Sequence, residues 1–242
     1  MQRLVITLLL SLLAIACAAS PARSQDTVDG FVARIFSKSG KTIPYRLFIP
    51  PKYKRSGKYP LILWLHGAGG SGTDNLRQIR ADQVPGTHLW TTPENITHHP
   101  AFVLVPQSAR GWTERDLVLD IVDELKEEFS IDPNRIYVIG QSMGGQAAWE
   151  LVTYHPGIFA AGIFVCAAGT SPNRATSVAT LPVWVFHGSN DPQLERTRQM
   201  IEAIRNAGGN PRYTEYSGMG HEIWDRVFSE PELPKWLFAQ HR

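Results

Sequence analysis

Residues 136–149 read Ile136-Tyr137-Val138-Ile139-Gly140-Gln141-Ser142-Met143-Gly144-Gly145-Gln146-Ala147-Ala148-Trp149. An apolar, β-branched run meets Gly-x-Ser-x-Gly, and small residues carry on into a helix-compatible segment. That order reads as strand, sharp turn, helix, with Ser142 held at the turn in a sparsely populated backbone conformation. Its hydroxyl then stands clear of the sheet, and the amide of Met143 points to where an oxyanion would form. Gly140 and Gly144 flank Ser142 where strand and helix crowd together and a Cβ would clash. Gly145, Ala147 and Ala148 let the helix lie close. The bare pattern arises by chance in about one chain of this length in ten. The apolar strand before it and the helix after it therefore carry the reading, against a glycine-rich turn with an idle serine.

Working outward, Leu61 to Leu65 and Phe102 to Val105 are continuous apolar runs, as are Ala160 to Val165 and Val183 to Phe186. Such runs mark strands buried on both faces of a parallel sheet. Arg212 to Tyr216 is a last strand. Asp116 to Phe129 carries Leu117, Ile121, Val122 and Leu125 at helical spacing, and Gln193 to Ala207 is a second amphipathic helix. Pro231 to Gln240 is the last helix. Phe31 to Phe36 and Thr42 to Ile49, joined by Ser37 to Gly40, form an antiparallel hairpin. Gln25 to Gly30 reads as a frayed end, Ile131 to Asn134 as a turn, and Gln78 to Pro100 fits no template, His98-His99 being loop surface there. The pattern predicts an α/β fold: a mostly parallel, doubly wound sheet with an N-terminal antiparallel hairpin.

In such a sheet the reactive groups gather at the carboxyl ends of the strands. Four loops there carry matching chemistry. The first holds Ser142. The second, His66-Gly67-Ala68-Gly69-Gly70, offers a backbone amide to an oxyanion; the donor is assigned to Ala68, with Gly69 as the alternative. The third, His187 to Pro192, offers Asp191, and the fourth, Gly218 to His221, offers an imidazole. Ser142 is a weak nucleophile until His221 takes its proton, and a carboxylate must fix the imidazole tautomer. Glu222 and Asp225 compete with Asp191 but share the histidine's own loop. His66 and His187 brace their turns. Trp112 and Trp224 follow functional strand ends and are candidates for stacking on an aromatic acyl group or a sugar, whereas Trp149 belongs to the core. No metal or organic cofactor is called for.

The composition, 43% hydrophobic and 19% charged over 242 residues, is that of one globular domain. A formal charge of +2 argues against nucleic acid as the main partner. Both excess positive charges, Arg3 and Arg23, lie in the first 24 residues, which contain no acid. There a short basic start precedes an apolar run from Leu4 to Ala16, too short for a stable membrane span. Residues 1–24 are expected to be a secretory signal cut after Ala22-Arg23-Ser24, leaving 25–242 as a single exported domain. Ala14-Ile15-Ala16-Cys17 is a weaker, lipoprotein-like alternative without the usual leucine. Cys166 would then be the only mature thiol, packed in a strand.

The chain resembles the α/β-hydrolase esterases of the "predicted peptidase" group, related to polyhydroxybutyrate depolymerase-like and feruloyl or acetylxylan esterases. The likeness lies in Tyr45-Arg46-Leu47-Phe48-Ile49-Pro50, residues 59–75, Ile131 to Gly145, and Gly208 to Asp225. It implies Ser142 as nucleophile, Asp191 as acid, His221 as base, and Ala68 and Met143 as oxyanion donors. The chain departs from relatives in carrying Gln193-Leu194 where a Val-Pro pair is common. The implied function is a secreted serine carboxylesterase acting on a small-molecule or polymer ester. A serine peptidase of the prolyl-oligopeptidase-like type and a non-catalytic binding protein on a hydrolase scaffold are the alternatives. Gly67-x-Gly69-x-x-Gly72 also matches a dinucleotide fingerprint, but no acid stands at the expected place about 20 residues on.

Overall fold

The computed structural model describes residues 26–242; the expected signal segment and Cys17 lie outside the described residues. The strands are β1 (Thr27–Val28), β2 (Phe31–Lys38), β3 (Lys41–Phe48), β4 (Tyr59–Leu65), β5 (Phe102–Pro106), β6 (Ile131–Gln141), β7 (Ala161–Val165), β8 (Val183–Gly188) and β9 (Arg212–Tyr216). They form one sheet in the order β1-β2-β3-β5-β4-β6-β7-β8-β9. Pairs from β1 to β5 across that order are antiparallel and those from β5 to β9 are parallel. The expected α/β-hydrolase sheet with its N-terminal hairpin is thus present.

Alternation along β4 explains the layering. Leu61, Leu63 and Leu65 face one core with α3 (Leu117–Glu128), α4 (Met143–Tyr154) and α5 (Leu194–Asn206). Ile62 and Trp64 face the other, with Trp90, Trp224 and Leu237. Helices α1 (Val84–His88), α2 (Pro93–His98), α6 (Trp224–Phe228) and α7 (Leu233–Phe238) belong to that second side. The central strands β4, β5, β7 and β8 are apolar on both faces because water reaches neither. Trp149 lies in the first core, stacked on Phe164 at 3.8 Å.

Three segments differ from expectation. Residues 26–30 are not a frayed end: Thr27 pairs with Val32 and Val28 with Phe31. Asp29 and Gly30, at φ 51° and 83°, supply the left-handed pair that a two-residue hairpin needs. Residues 131–134 are not a free turn but the bulged start of β6. Tyr59 pairs with Ile131 and Leu61 with Ile136, so 132–135 loop out, closed by the Asn134 amide donating to Asp132 Oδ1. Between 78 and 100 the chain folds into short helices, and His99 stacks on Phe238 at 4.6 Å rather than facing water as a free loop.

Candidate active site

β6 runs straight into Ser142, which adopts φ 52° and ψ −119° before α4 begins at Met143. A serine there is strained by about 1–3 kcal/mol, and the surroundings must hold it. They do so through its amide, which donates to Val165 O on β7 at 2.7 Å. The helix also packs hard against the neighbouring strand. A Cβ on Gly144 would sit 2.0 Å from Leu65 O at the end of β4, so no other residue fits.

Ser142 Oγ lies 2.7 Å from His221 Nε2, and His221 Nδ1 lies 2.5 Å from Asp191 Oδ2. A neutral ring protonated on Nδ1 satisfies both contacts: the serine hydroxyl donates to Nε2 and Nδ1–H donates to the carboxylate. Glu222 and Asp225 do not take that place. The acid's side chain is 1% exposed and the imidazole's 36%, so the relay is dry at one end and open at the other. Asp191 Oδ1 accepts from the Gln193 amide at 2.8 Å. Burial alone would raise the acid's pKa, but that amide and the two imidazoles hold it below the ordinary carboxylate value.

The spacing of acid and base is set by the two loops that carry them. The Asn190 amide donates to Met219 O at 2.8 Å and the Gly218 amide to Ser189 Oγ at 2.8 Å. Contact is close enough that a Cβ on Gly188 would meet Gly220 O at 2.1 Å. Behind the acid stands His187. Its Nδ1 is 3.0 Å from Thr197 Oγ1, and its Nε2 is 3.2 Å from Asp191 Oδ2 in a contact that is not aligned as a hydrogen bond. Burial lowers the pKa of His187, opposed by the carboxylate.

Met143 is the first residue of α4 and Ala68 the first of a single 3-10 turn, Ala68–Gly70, after β4. An N–H at such a position has no acceptor within its own helix. Both therefore can donate to a ligand. The loop that carries Ala68 is braced from several sides. The Gly67 amide donates to Gln83 Oε1 at 3.1 Å. His66 Nδ1–H donates to Gly67 O at 2.7 Å, and its Nε2 accepts from the Ser108 amide at 2.9 Å. Burial pushes the His66 pKa down to about 4. Gln107 fixes the far end, accepting from the Asn75 amide at 2.6 Å and donating to Gly70 O at 3.1 Å. Gln83 and Gln107 escape a reading of the sequence because a buried glutamine has no spacing that marks it.

The two tryptophans are placed differently from the expectation of stacking platforms. Trp112 is 7% exposed, donates from Nε1 to His66 O at 3.1 Å and packs its ring on His66 at 4.6 Å. Trp224 is 9% exposed and meets the His221 ring edge-on at 5.4 Å. Both brace the site's histidines and leave little surface for a ligand to stack on. Cys166 Sγ, the Asp191 carboxylate and the His221 imidazole lie within 4.8 Å of one another. Burial pushes the thiol up to about 12, and acid and imidazole already bind each other, so the trio suits no cation.

A serine on a tight strand-to-helix turn, hydrogen-bonded to a strand-end histidine that meets a buried acid, on this sheet, defines a class. The chain belongs to the alpha/beta hydrolase family, whose model matches residues 62–241. Among solved structures it is similar to a thermostable esterase, at 35% identity and a TM-score of 0.84, covering 88% of this chain and 64% of that one. It is 32% identical over 173 residues to NocK of Nocardia uniformis subsp. tsuyamanensis, which bears an esterase name, covering 66% of this chain and 48% of NocK. It is 34% identical over 148 residues to the bifunctional acetylxylan esterase/xylanase XynS20E of Neocallimastix patriciarum, covering 56% and 20%. The chain thus spans about half or less of the length of these two relatives. Among the described residues no helix is long and apolar enough to cross a membrane.

Proposed function

We propose that the protein is a serine carboxylesterase that hydrolyses carboxylic esters through an acyl-enzyme on Ser142. The observation that carries this reading is the unbroken hydrogen-bond chain from Ser142 Oγ through the His221 ring to Asp191. Ser142 Oγ attacks the ester carbonyl carbon while His221 Nε2 takes its proton, and Asp191 stabilises the imidazolium. The carbonyl oxygen becomes an oxyanion held by the Met143 and Ala68 amides. Nε2 then gives its proton to the leaving alcohol oxygen as the ester C–O bond breaks. Water enters in the alcohol's place, gives a proton to Nε2 and attacks the acyl carbon. Collapse frees the acid, and Nε2 returns the proton to Oγ.

An alkoxide departs more readily than an amide nitrogen, and the esterase names of the relatives point the same way. Acetylated or feruloylated carbohydrate and other polymer esters are the substrate class we favour. The basic start and apolar run of residues 1–24 support export, with the protein acting outside the cytoplasm after signal cleavage. The purified protein and Ser142→Ala, assayed on p-nitrophenyl acetate, butyrate and octanoate and on methyl ferulate, test the reading. Turnover by the parent with a loss of about 10⁴-fold or more in the variant is expected. A folded parent that ignores every ester but cleaves a peptide panel would make it a peptidase, and inactivity on both would make it a binding protein.

A further inference from the structure

Ser142 opens onto two adjoining depressions that share Gln146 and Arg196. The first is bounded by Met143, Gln193 and Arg196; the second continues between α4 and α5 past Glu150, Thr170 and Gln199. Three other arginines around this trough are engaged. Arg115 pairs with Glu150 at 2.8 Å, Arg198 with Glu215 at 2.7 Å, and Arg174 lies 4.6 Å over the Tyr154 ring. Arg196 is different. It is exposed, and among the described residues its guanidinium has no acid, carbonyl or ring partner. The acid in the trough, Glu150, is already neutralised by Arg115, and the positive end of the twelve-residue α4 points at Ser142. Arg196 and the start of α4 thus bring positive charge to the open side of Ser142, while the Asp191 carboxylate lies buried behind the His221 ring.

We infer that Arg196 is a specificity residue for the reaction at Ser142, selecting esters that carry a carboxylate or another anionic group within side-chain reach of the scissile bond. This rests on the esterase reading of Ser142. A guanidinium on a helix face, free to fork onto a carboxylate, gives bidentate recognition that a neutral trough lined by glutamines does not. Gln146, Gln193 and Gln199 then supply the neutral donors around the bound anion.

Two matched pairs locate the anion. Mono-4-nitrophenyl adipate against its methyl ester places the charge on the acid part; 4-acetoxybenzoate against its methyl ester places it on the alcohol part. In the parent, kcat/KM is expected to favour the charged member of at least one pair, and that pair names the side. In Arg196→Gln the charged-to-neutral ratio should fall about three- to fivefold, with a larger fall in Arg196→Glu and partial retention in Arg196→Lys. Added salt at 0.5 M should erode the parent's ratio. Equal effects on charged and neutral members in both pairs, with turnover intact, would overturn the role of Arg196 and leave the esterase standing. No turnover of any ester would sink the esterase reading and this inference together.

Discussion

Asp191 combines a 1%-exposed side chain with a carboxyl held below its ordinary pKa. Burial works against the charge, and the Gln193 amide and the His221 ring win. At neutral pH the group is an anion pointed at Nδ1, which keeps Nε2 free to accept from Ser142. Asp191→Asn presents either an amide oxygen or an NH₂ of similar shape, and the latter would force the proton onto Nε2. The expected result is a fall in kcat of about 10⁴-fold with the melting temperature nearly retained, read by steady-state kinetics beside a thermal melt. An activity within tenfold of the parent would show that the carboxylate does not set the tautomer. Ser142 and His221 were readable because each sits in a short glycine-flanked motif directly after an apolar run. Asp191 was readable as the acid of a third strand-end loop, with Glu222 and Asp225 competing; the pairing of 188–191 with 218–220 that seats it links distant segments and leaves no mark in either.

At the scale of elements, the parallel strands were legible because burial on both faces demands unbroken apolar runs. The segment from 78 to 100 was not, because its one- and two-turn helices are fixed by buried polar side chains, Gln78, Gln83, Thr87 and Asn95, that follow no period. The loop after β4 depends on the same kind of group. His66 is buried, its pKa is about 4 in the folded protein against an ordinary 6.5, and it joins the ends of β4 and β5 through the Ser108 amide. Between those values the unfolded chain binds a proton that the folded protein refuses, so stability falls as pH drops from 6.5 toward 4. From pH 7 to 4.5 this one group should cost about 2–3 kcal/mol. Urea unfolding of the parent and of His66→Gln at the two pH values should show a smaller loss in the variant. An equal loss would mean that the ring protonates without opening the loop.

For the molecule as a whole, the question is why a hairpin outside the matched family region belongs to the working protein. The family match begins at residue 62, whereas β1, β2 and β3 end at Phe48. Arg46 on β3 is the link. It is 1% exposed and donates to Asn75 O at 2.5 Å, to Asp26 O at 3.0 Å and to Phe31 O at 3.3 Å, and it pairs with Asp26 Oδ2 at 3.0 Å. Asn75, at φ 53°, returns two bonds of 3.1 Å from its side chain to Arg34 O and Tyr45 O. The far end of the loop that carries Ala68 is therefore tied to the antiparallel strands as well as, through Gln107, to the end of β5. Removing the guanidinium leaves carbonyls of Asn75 and Phe31 without their donor, at about 1–3 kcal/mol for each that water cannot reach. Arg46→Met should lose about 2–4 kcal/mol in urea unfolding, and Arg46→Lys should recover only part, since an ammonium cannot fork to several carbonyls at once. If the hairpin also positions Ala68, the proposed oxyanion donor, kcat should fall in Arg46→Met under conditions where the variant is fully folded, with KM little changed. Full activity with lowered stability would confine the hairpin to holding the fold; full stability would mean that another contact carries the N-terminal strands.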